Sequence, residues 1–319
     1  MQRLEPINWN RVIDPVDKDV WDKLTSNFWL PEKVPVSNDI PKWNKMTEDE
    51  QVTLARIFAG LTLLDTIQGT VGAQRMLEDA LTPHEEAVLT NQSFMESVHA
   101  KSYSTIFSTL MTTPEIDDAF EWSASNPYMQ YKANRILDFY EEDDPIKKKI
   151  ASVLLESFLF FSGFYYIFHL ASKGILTNSA TIIQLILRDE SVHGYYLGYK
   201  AQKDQDALNL SQEERDKYAD DTYELVFDLM DNEALYMHDL YDSLGLTSEA
   251  QAYTKYNCNK ALMNLGYEPL FPKEEATPPA EIMAFMDPTG NQNHDFFSDS
   301  GSSYVIIDTE ETTDSDWEF

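Results

Sequence analysis

The chain has 319 residues and a formal net charge of −31, from 55 acidic and 24 basic side chains. Such a polyanion repels nucleic-acid phosphates and anionic lipid alike, which argues against non-specific binding to either. A single cysteine, Cys258, excludes an intramolecular disulfide and any cysteine-based zinc site, while 43 % hydrophobic residues suffice for a sizeable core in one domain or two.

Residues 1–46 read as an irregular arm with one short helix around Val20 to Thr25. The arm continues through Phe28-Trp29-Leu30-Pro31 into a segment spaced by Pro35 and Pro41, and aromatic residues beside proline suit anchoring to a body. Met1 to Leu30 has no uninterrupted apolar core of the secretory kind. The most apolar run, Ile150 to Leu170, carries Glu156 and His169 and does not read as a membrane span. Cytoplasm is the default expectation.

From Thr47 the pattern turns to long helices with clear starts. Thr47-x-x-Glu50 and Thr82-Pro83-x-Glu85 have capping-box spacing, and Pro83 falls where a missing N–H costs nothing. Thr113-Pro114, Asn126-Pro127 and Asp144-Pro145 repeat the cap-then-proline signal. Helices are expected over roughly 48–80, 83–111, 114–123, 127–141, 145–173, 178–205, 211–244 and 248–265, with Gly174, Gly245 and Gly266 as C-terminal caps. Strand signals are nearly absent. The fold class is all-α, a bundle of rods of about 30 residues spanning 47–266. Residues 267–319 form a Pro-, Asp-, Ser- and Gly-rich segment without helical period, ending on Trp317-Glu318-Phe319. Its composition cannot bury enough apolar surface to fold alone, and its terminal aromatics suit a peptide that docks on a partner.

Two of these helices carry Glu-x-x-His: Glu96 and His99, then Glu190 and His193. Residues three apart share a helix face, so each pair can offer a carboxylate and an imidazole to one ion. Two other helices each carry a lone acid in an apolar stretch, Asp65 and Glu156, and acids so placed need a partner. Asp65 precedes Glu96 by 31 residues and Glu156 precedes Glu190 by 34, as a duplicated helical hairpin would arrange them. This is the ligand order of ferritin-like di-iron and di-manganese carboxylate bundles, with an aspartate replacing one glutamate. Two divalent cations neutralise four carboxylates, and the carboxylate–imidazole set suits iron or manganese. His84, His169, His238 and His294 stand outside the pattern as ordinary surface, cap or packing residues.

Tyr103 follows His99 by four residues and so faces the same cluster; beside a redox-active metal pair it is a candidate for one-electron oxidation. Leu61, Phe160, Phe164 and Ile186 stand four residues or two such steps from the acids of their own helices. They are expected to enclose the tyrosine in a dry pocket, although the same residues serve equally as core.

These residues carry a resemblance. The chain resembles the small, radical-generating subunit of class Ib ribonucleotide reductase over essentially its whole length. The match runs through Phe28 to Val34, Leu61 to Asp65, Thr82 to Leu89, Met95 to Tyr103, Arg188 to Gly194, Asn259 to Gly266 and Asn293 to Phe297. The resemblance implies that Asp65, Glu96 and His99 hold one metal and Glu156, Glu190 and His193 the other, either manganese or iron, with Glu96 and Glu190 as bridging or shifting carboxylates. It implies a tyrosyl radical at Tyr103, passed through Trp29, Asp189 and Tyr304 to a cysteine on a separate large subunit that reduces ribonucleoside diphosphates. It further implies docking to that subunit through Asp314, Asp316, Trp317, Glu318 and Phe319, activation by a flavodoxin-like protein, and a homodimer. The competing readings are a di-metal carboxylate oxidase with a small apolar substrate, which needs a cavity beside the cluster, a ferritin-like store, and a purely structural bundle.

Overall fold

The computed structural model describes residues 6–286. Thirteen α-helical segments occur among them and no strand. The arm carries α1 (Pro15–Ser26), opened by Pro15 and capped by Asp14 Oδ1 on the Val16 N–H, and the short α2 (Ile40–Trp43). The helix expected around Val20 to Thr25 is thus longer, because its first turn is set by an aspartate cap and a proline.

The body begins with α3 (Glu48–Ile67), where Thr47 and Glu50 close the expected capping box. It runs through a π-helical turn, Gln68–Gly72, into α4 (Ala73–Glu78). Next come α5 (Pro83–Leu110), α6 (Thr113–Ser125) and α7 (Pro127–Tyr140), then α8 (Pro145–Leu154), which passes through a second π-helical turn, Leu155–Leu159, into α9 (Phe161–Ser172). The sequence is completed by α10 (Thr177–Ala207), α11 (Gln212–Tyr241), α12 (Thr247–Asn264) and α13 (Ala280–Met286). Periodicity cannot register a single extra residue per turn, so both π turns were invisible in the pattern. Gly174, Gly245 and Gly266 take the positive φ expected of helix-ending glycines, 71°, 67° and 80°. Helix α13 arises in a stretch where no helix was expected; it packs on α9, with the Phe285 ring stacked on Phe168, centroids 6.3 Å apart.

The core lies where α3 packs on α5 and α8 on α10, and α9 joins them. The helix 145–172 is long and apolar enough to cross a membrane, but its apolar window is wholly buried within the fold. Helix α10 begins after Leu176, whose φ is 52° and whose side chain supplies no cap. The cap comes from the arm: buried Asp39 accepts the N–H groups of Asn178 (3.2 Å) and Ser179 (2.7 Å) and the Ser179 hydroxyl. A carboxylate there also complements the positive end of the helix. Asp39→Ala is expected to lower unfolding free energy by about 1–2 kcal/mol in urea titration, the usual cost of losing such a cap.

Buried Asp17 ties α1 down more deeply, accepting from Thr82 Oγ1 (3.0 Å), the cap of α5, and from Tyr196 OH (2.8 Å) and Lys200 Nζ (3.0 Å) on α10. A buried charge with three partners is satisfied rather than destabilising. The arm that carries Trp29 is thereby held against the bundle at both ends.

Candidate metal centre

Asp65 comes from the last turn of α3, Glu96 and His99 from α5, Glu156 from the π turn after α8, and Glu190 and His193 from α10. All six are buried. They form two overlapping groups, Asp65–Glu96–His99–Glu190 and Glu96–Glu156–Glu190–His193, in each of which the ligand atoms lie within 4.8 Å of one another. Glu96 and Glu190 belong to both groups, the position a bridging carboxylate occupies.

The donor set fits two divalent cations. Both oxygens of Asp65 and of Glu96, Oε2 of Glu156, Oε1 of Glu190 and Nδ1 of His99 are buried without a hydrogen-bond partner. Orphaned polar atoms on this scale are costly unless something electrophilic sits among them. His99 Nδ1 lies 3.0 Å from Glu190 Oε1, and His193 Nδ1 lies 3.1 Å from Glu96 Oε1 and 3.8 Å from Glu156 Oε2, so both imidazoles turn the same nitrogen inward.

Electrostatics agree. Burial, then the neighbouring Glu96 charge, raises Asp65 well above the carboxylate range; burial, with the Glu190 and Glu96 charges, does the same for Glu156. Burial opposes protonation of His99 and His193, yet the surrounding carboxylates raise both well above the usual imidazole value. Burial would raise Glu96 too, but the two imidazoles beside it bring it down to about 2. Without cations, protons do the neutralising.

The outward nitrogen of His99 explains its orientation. Asp189 Oδ2 receives Trp29 Nε1–H at 2.7 Å and sits 3.2 Å from His99 Nε2. A carboxylate accepts, so Nε2 carries a proton and Nδ1 is the nitrogen turned to the cluster, whose lone pair is free for a cation once the second proton is displaced. The Trp29 and His99 rings stack, centroids 6.0 Å apart. Asp189 is buried and Trp29 half-buried.

Tyr103 is fully buried, and its hydroxyl has no hydrogen-bond partner. Burial, then the Asp65, Glu190 and Glu96 charges, raises its pKa well above the phenol range, so its proton is firmly held. Leu61, Phe160, Phe164 and Ile186 are all buried in the same core, with Leu61 against Gly163 and the Phe160 and Phe164 rings 6.0 Å apart. The ring recorded against Tyr103 is Phe58, centroids 5.6 Å apart, a residue not singled out from the sequence. Tyr304, Asp314, Asp316, Trp317, Glu318 and Phe319 lie outside the described residues.

Also missed were Gln68, Gln92 and Ser152, which gather on Glu156, and Tyr140, which donates to Gln68 behind them. The helical spacing held a signal for three of them: Gln68 follows Asp65 by three residues, Gln92 precedes Glu96 by four, and Ser152 precedes Glu156 by four.

Comparison with known proteins agrees with this geometry. The family described as "Ribonucleotide reductase, small chain" matches residues 6–279. The chain is 58 % identical over 320 residues to the ribonucleoside-diphosphate reductase subunit beta nrdF2 of Mycobacterium tuberculosis (strain CDC 1551 / Oshkosh), covering 100 % of this chain and 98 % of that protein. It is 54 % identical over 319 residues to the ribonucleoside-diphosphate reductase 2 subunit beta of Escherichia coli (strain K12), covering 100 % and 99 %. Among solved structures it resembles the Streptococcus sanguinis dimanganese(II)-NrdF with a TM-score of 0.85 and 47 % identity, over 89 % of this chain and 100 % of that one.

Proposed function

The chain belongs to the ribonucleotide reductase small-chain family, and from that premise we propose that it is the class Ib radical-generating subunit, which stores an oxidising equivalent on Tyr103 and delivers it to a large subunit that reduces ribonucleoside diphosphates. The observation that carries this reading is a fully buried tyrosine with an unpartnered hydroxyl, one helical turn beyond a ligand histidine whose far nitrogen is joined through Asp189 to Trp29.

In this reading Asp65, Glu96 and His99 hold one ion and Glu156, Glu190 and His193 the other. The relative's dimanganese centre favours manganese, and the same ligands accept iron. When bound, such a pair supplies one-electron oxidation. The residues around it do the rest. Burial withholds water from Tyr103, and the carboxylate charges keep its hydroxyl protonated until an electron leaves. Asp65 is the carboxylate whose charge weighs most on that hydroxyl. Asp189 fixes the His99 tautomer while accepting from Trp29 with the same oxygen, so a proton held at Trp29 Nε1 has an acceptor in place.

A small chain implies a large-subunit partner. The tail from Asp314 to Phe319 is the proposed docking peptide and Tyr304 the last relay residue on this chain; a flavodoxin-like activator, a homodimer and a cytoplasmic location complete the proposal. The oxidase alternative is disfavoured by the site itself, where Phe160, Phe164 and Ile186 fill the core, while a cavity of about 350 Å³ opens elsewhere, between Trp43, Arg56, Met111 and Trp122.

Full-length chain loaded with manganese and activated is expected to show a tyrosyl radical by electron paramagnetic resonance and to reduce ribonucleoside diphosphates with a large subunit. Deleting residues 308–319 should remove binding to that subunit while leaving the radical. Unchanged affinity of the shortened chain would refute the docking role.

A further inference from the structure

Among the four clustered carboxylates, Glu156 alone has an oxygen held by residues outside the ligand set. Its Oε1 accepts the side-chain N–H groups of Gln68 and of Gln92 (2.6 Å), with Ser152 Oγ at 3.4 Å. Its Oε2 has no hydrogen-bond partner and faces His193 Nδ1. Asp65 and Glu96 have both oxygens free of such bonds, and Glu190 is bonded only to the ligand His193.

The direction of these bonds follows from chemistry. In its ionised, metal-binding form Glu156 only accepts, so the Gln68 amide nitrogen faces it, where it also reaches Ser152 Oγ at 2.6 Å. The Gln68 carbonyl oxygen is then turned to Tyr140, whose hydroxyl donates to it. Gln68, Gln92, Ser152 and Tyr140 are all buried, so none of these bonds competes with solvent.

The backbone is built around the same contact. Gln68 opens one π-helical turn and Glu156 lies in the other. The extra residue in each turn rotates its side chain out of the ordinary helical register. Two glycines in the first turn allow the approach: a Cβ on Gly72 would meet Gln68 Oε1 at 2.5 Å and the Tyr140 ring at 2.7 Å, and one on Gly69 would meet Glu96 Cβ at 2.9 Å.

We propose that Gln68, backed by Tyr140 and paired with Gln92, is a positioning residue that holds Glu156 as a one-oxygen ligand, retaining Oε1 and presenting only Oε2 to the ion on the His193 side. Movement between one- and two-oxygen binding then falls to Glu96 and Glu190, whose oxygens carry no such anchor. The ion on the Asp65–His99 side has no equivalent clamp on its carboxylates. This inference rests on the two-metal reading of the cluster.

The test is Mn²⁺ binding to metal-free, full-length chain, followed by calorimetry and electron paramagnetic resonance, with the melting temperature of each metal-free variant as a check on folding. Wild type is expected to take two ions. Gln68→Met and Gln92→Leu should keep one ion at wild-type affinity and weaken the other about 10- to 100-fold, the usual consequence of losing such an outer partner. At one equivalent of Mn²⁺ they should show the spectrum of a lone Mn(II) ion rather than of a coupled pair. Tyr140→Phe removes one atom and should shift the same ion in the same direction by less. Both ions bound as in wild type by folded Gln68→Met would overturn the proposal. So would equal loss of both ions together with a lowered metal-free melting temperature, which marks a packing role. Fewer than two ions on wild type would instead remove the two-metal reading beneath it.

Discussion

Tyr103→Phe is expected to abolish the tyrosyl radical signal and reduce ribonucleotide reduction to background, while two metal ions per chain still bind. Phenylalanine has no O–H from which a proton can leave as an electron is withdrawn, so the buried ring can no longer store the oxidising equivalent. The substitution should cost little stability. The hydroxyl it removes is fully buried and makes no hydrogen bond, so its deletion relieves an unsatisfied polar group, an effect of about 1 kcal/mol in favour of the folded state. Three measurements therefore separate: metal analysis unchanged, melting temperature unchanged or slightly raised, radical and turnover lost. Retained turnover in this variant would remove Tyr103 from the mechanism and with it the proposed function.

Much of this site was legible because its components repeat with helical period. Glu96 with His99 and Glu190 with His193 mark helix faces by their spacing, and Asp65 and Glu156 stand out because an acid amid Leu63-Leu64 or Leu154-Leu155 has no cheap resting place. What periodicity could not carry was tertiary. Nothing local says that Gln68 and Gln92, from different helices, converge on one oxygen of Glu156, or that Asp39 in the arm caps α10 about 140 residues later. The π turns at Gln68–Gly72 and Leu155–Leu159 were hidden for a related reason. One extra residue in a helix leaves the apolar pattern almost intact while changing which way its side chains aim. Trp29 is an intermediate case. Proline neighbours marked it as an anchored aromatic, whereas its bond to Asp189 depends on an arm held in place by Asp17 and Asp39.

Removing the metals should destabilise the protein, and the loss should deepen as pH rises. Asp65 and Glu156 have folded values raised well above their ordinary 3.8 and 4.5, and His99 and His193 are raised well above 6.5. A group raised on folding contributes stability that is complete below its unfolded value and is lost as pH climbs through its folded value. Asp65 and Glu156 therefore push the metal-free chain toward lower stability as pH rises above about 4.5, and His99 and His193 add to the same trend above about 6.5. Glu96, brought down to about 2, acts oppositely, but its contribution is lost only as pH falls from 4.5 toward 2, outside that window. Bound divalent cations displace these protons, so metal affinity rises with pH as the loaded protein escapes the penalty. At free metal about 100-fold above each dissociation constant, each ion adds about 2.7 kcal/mol, and two together correspond to roughly 10 °C in melting temperature for a chain of this size. The net charge of −31 also disfavours the compact state as pH rises, but it does so in both forms. The diagnostic quantity is hence the gap between loaded and metal-free melting temperatures, measured by scanning calorimetry at pH 5, 6, 7 and 8, which should widen steadily. A gap that stays constant or narrows would mean that the cluster is not neutralised by protons when metal is absent, and that its orphaned oxygens are satisfied in some other way.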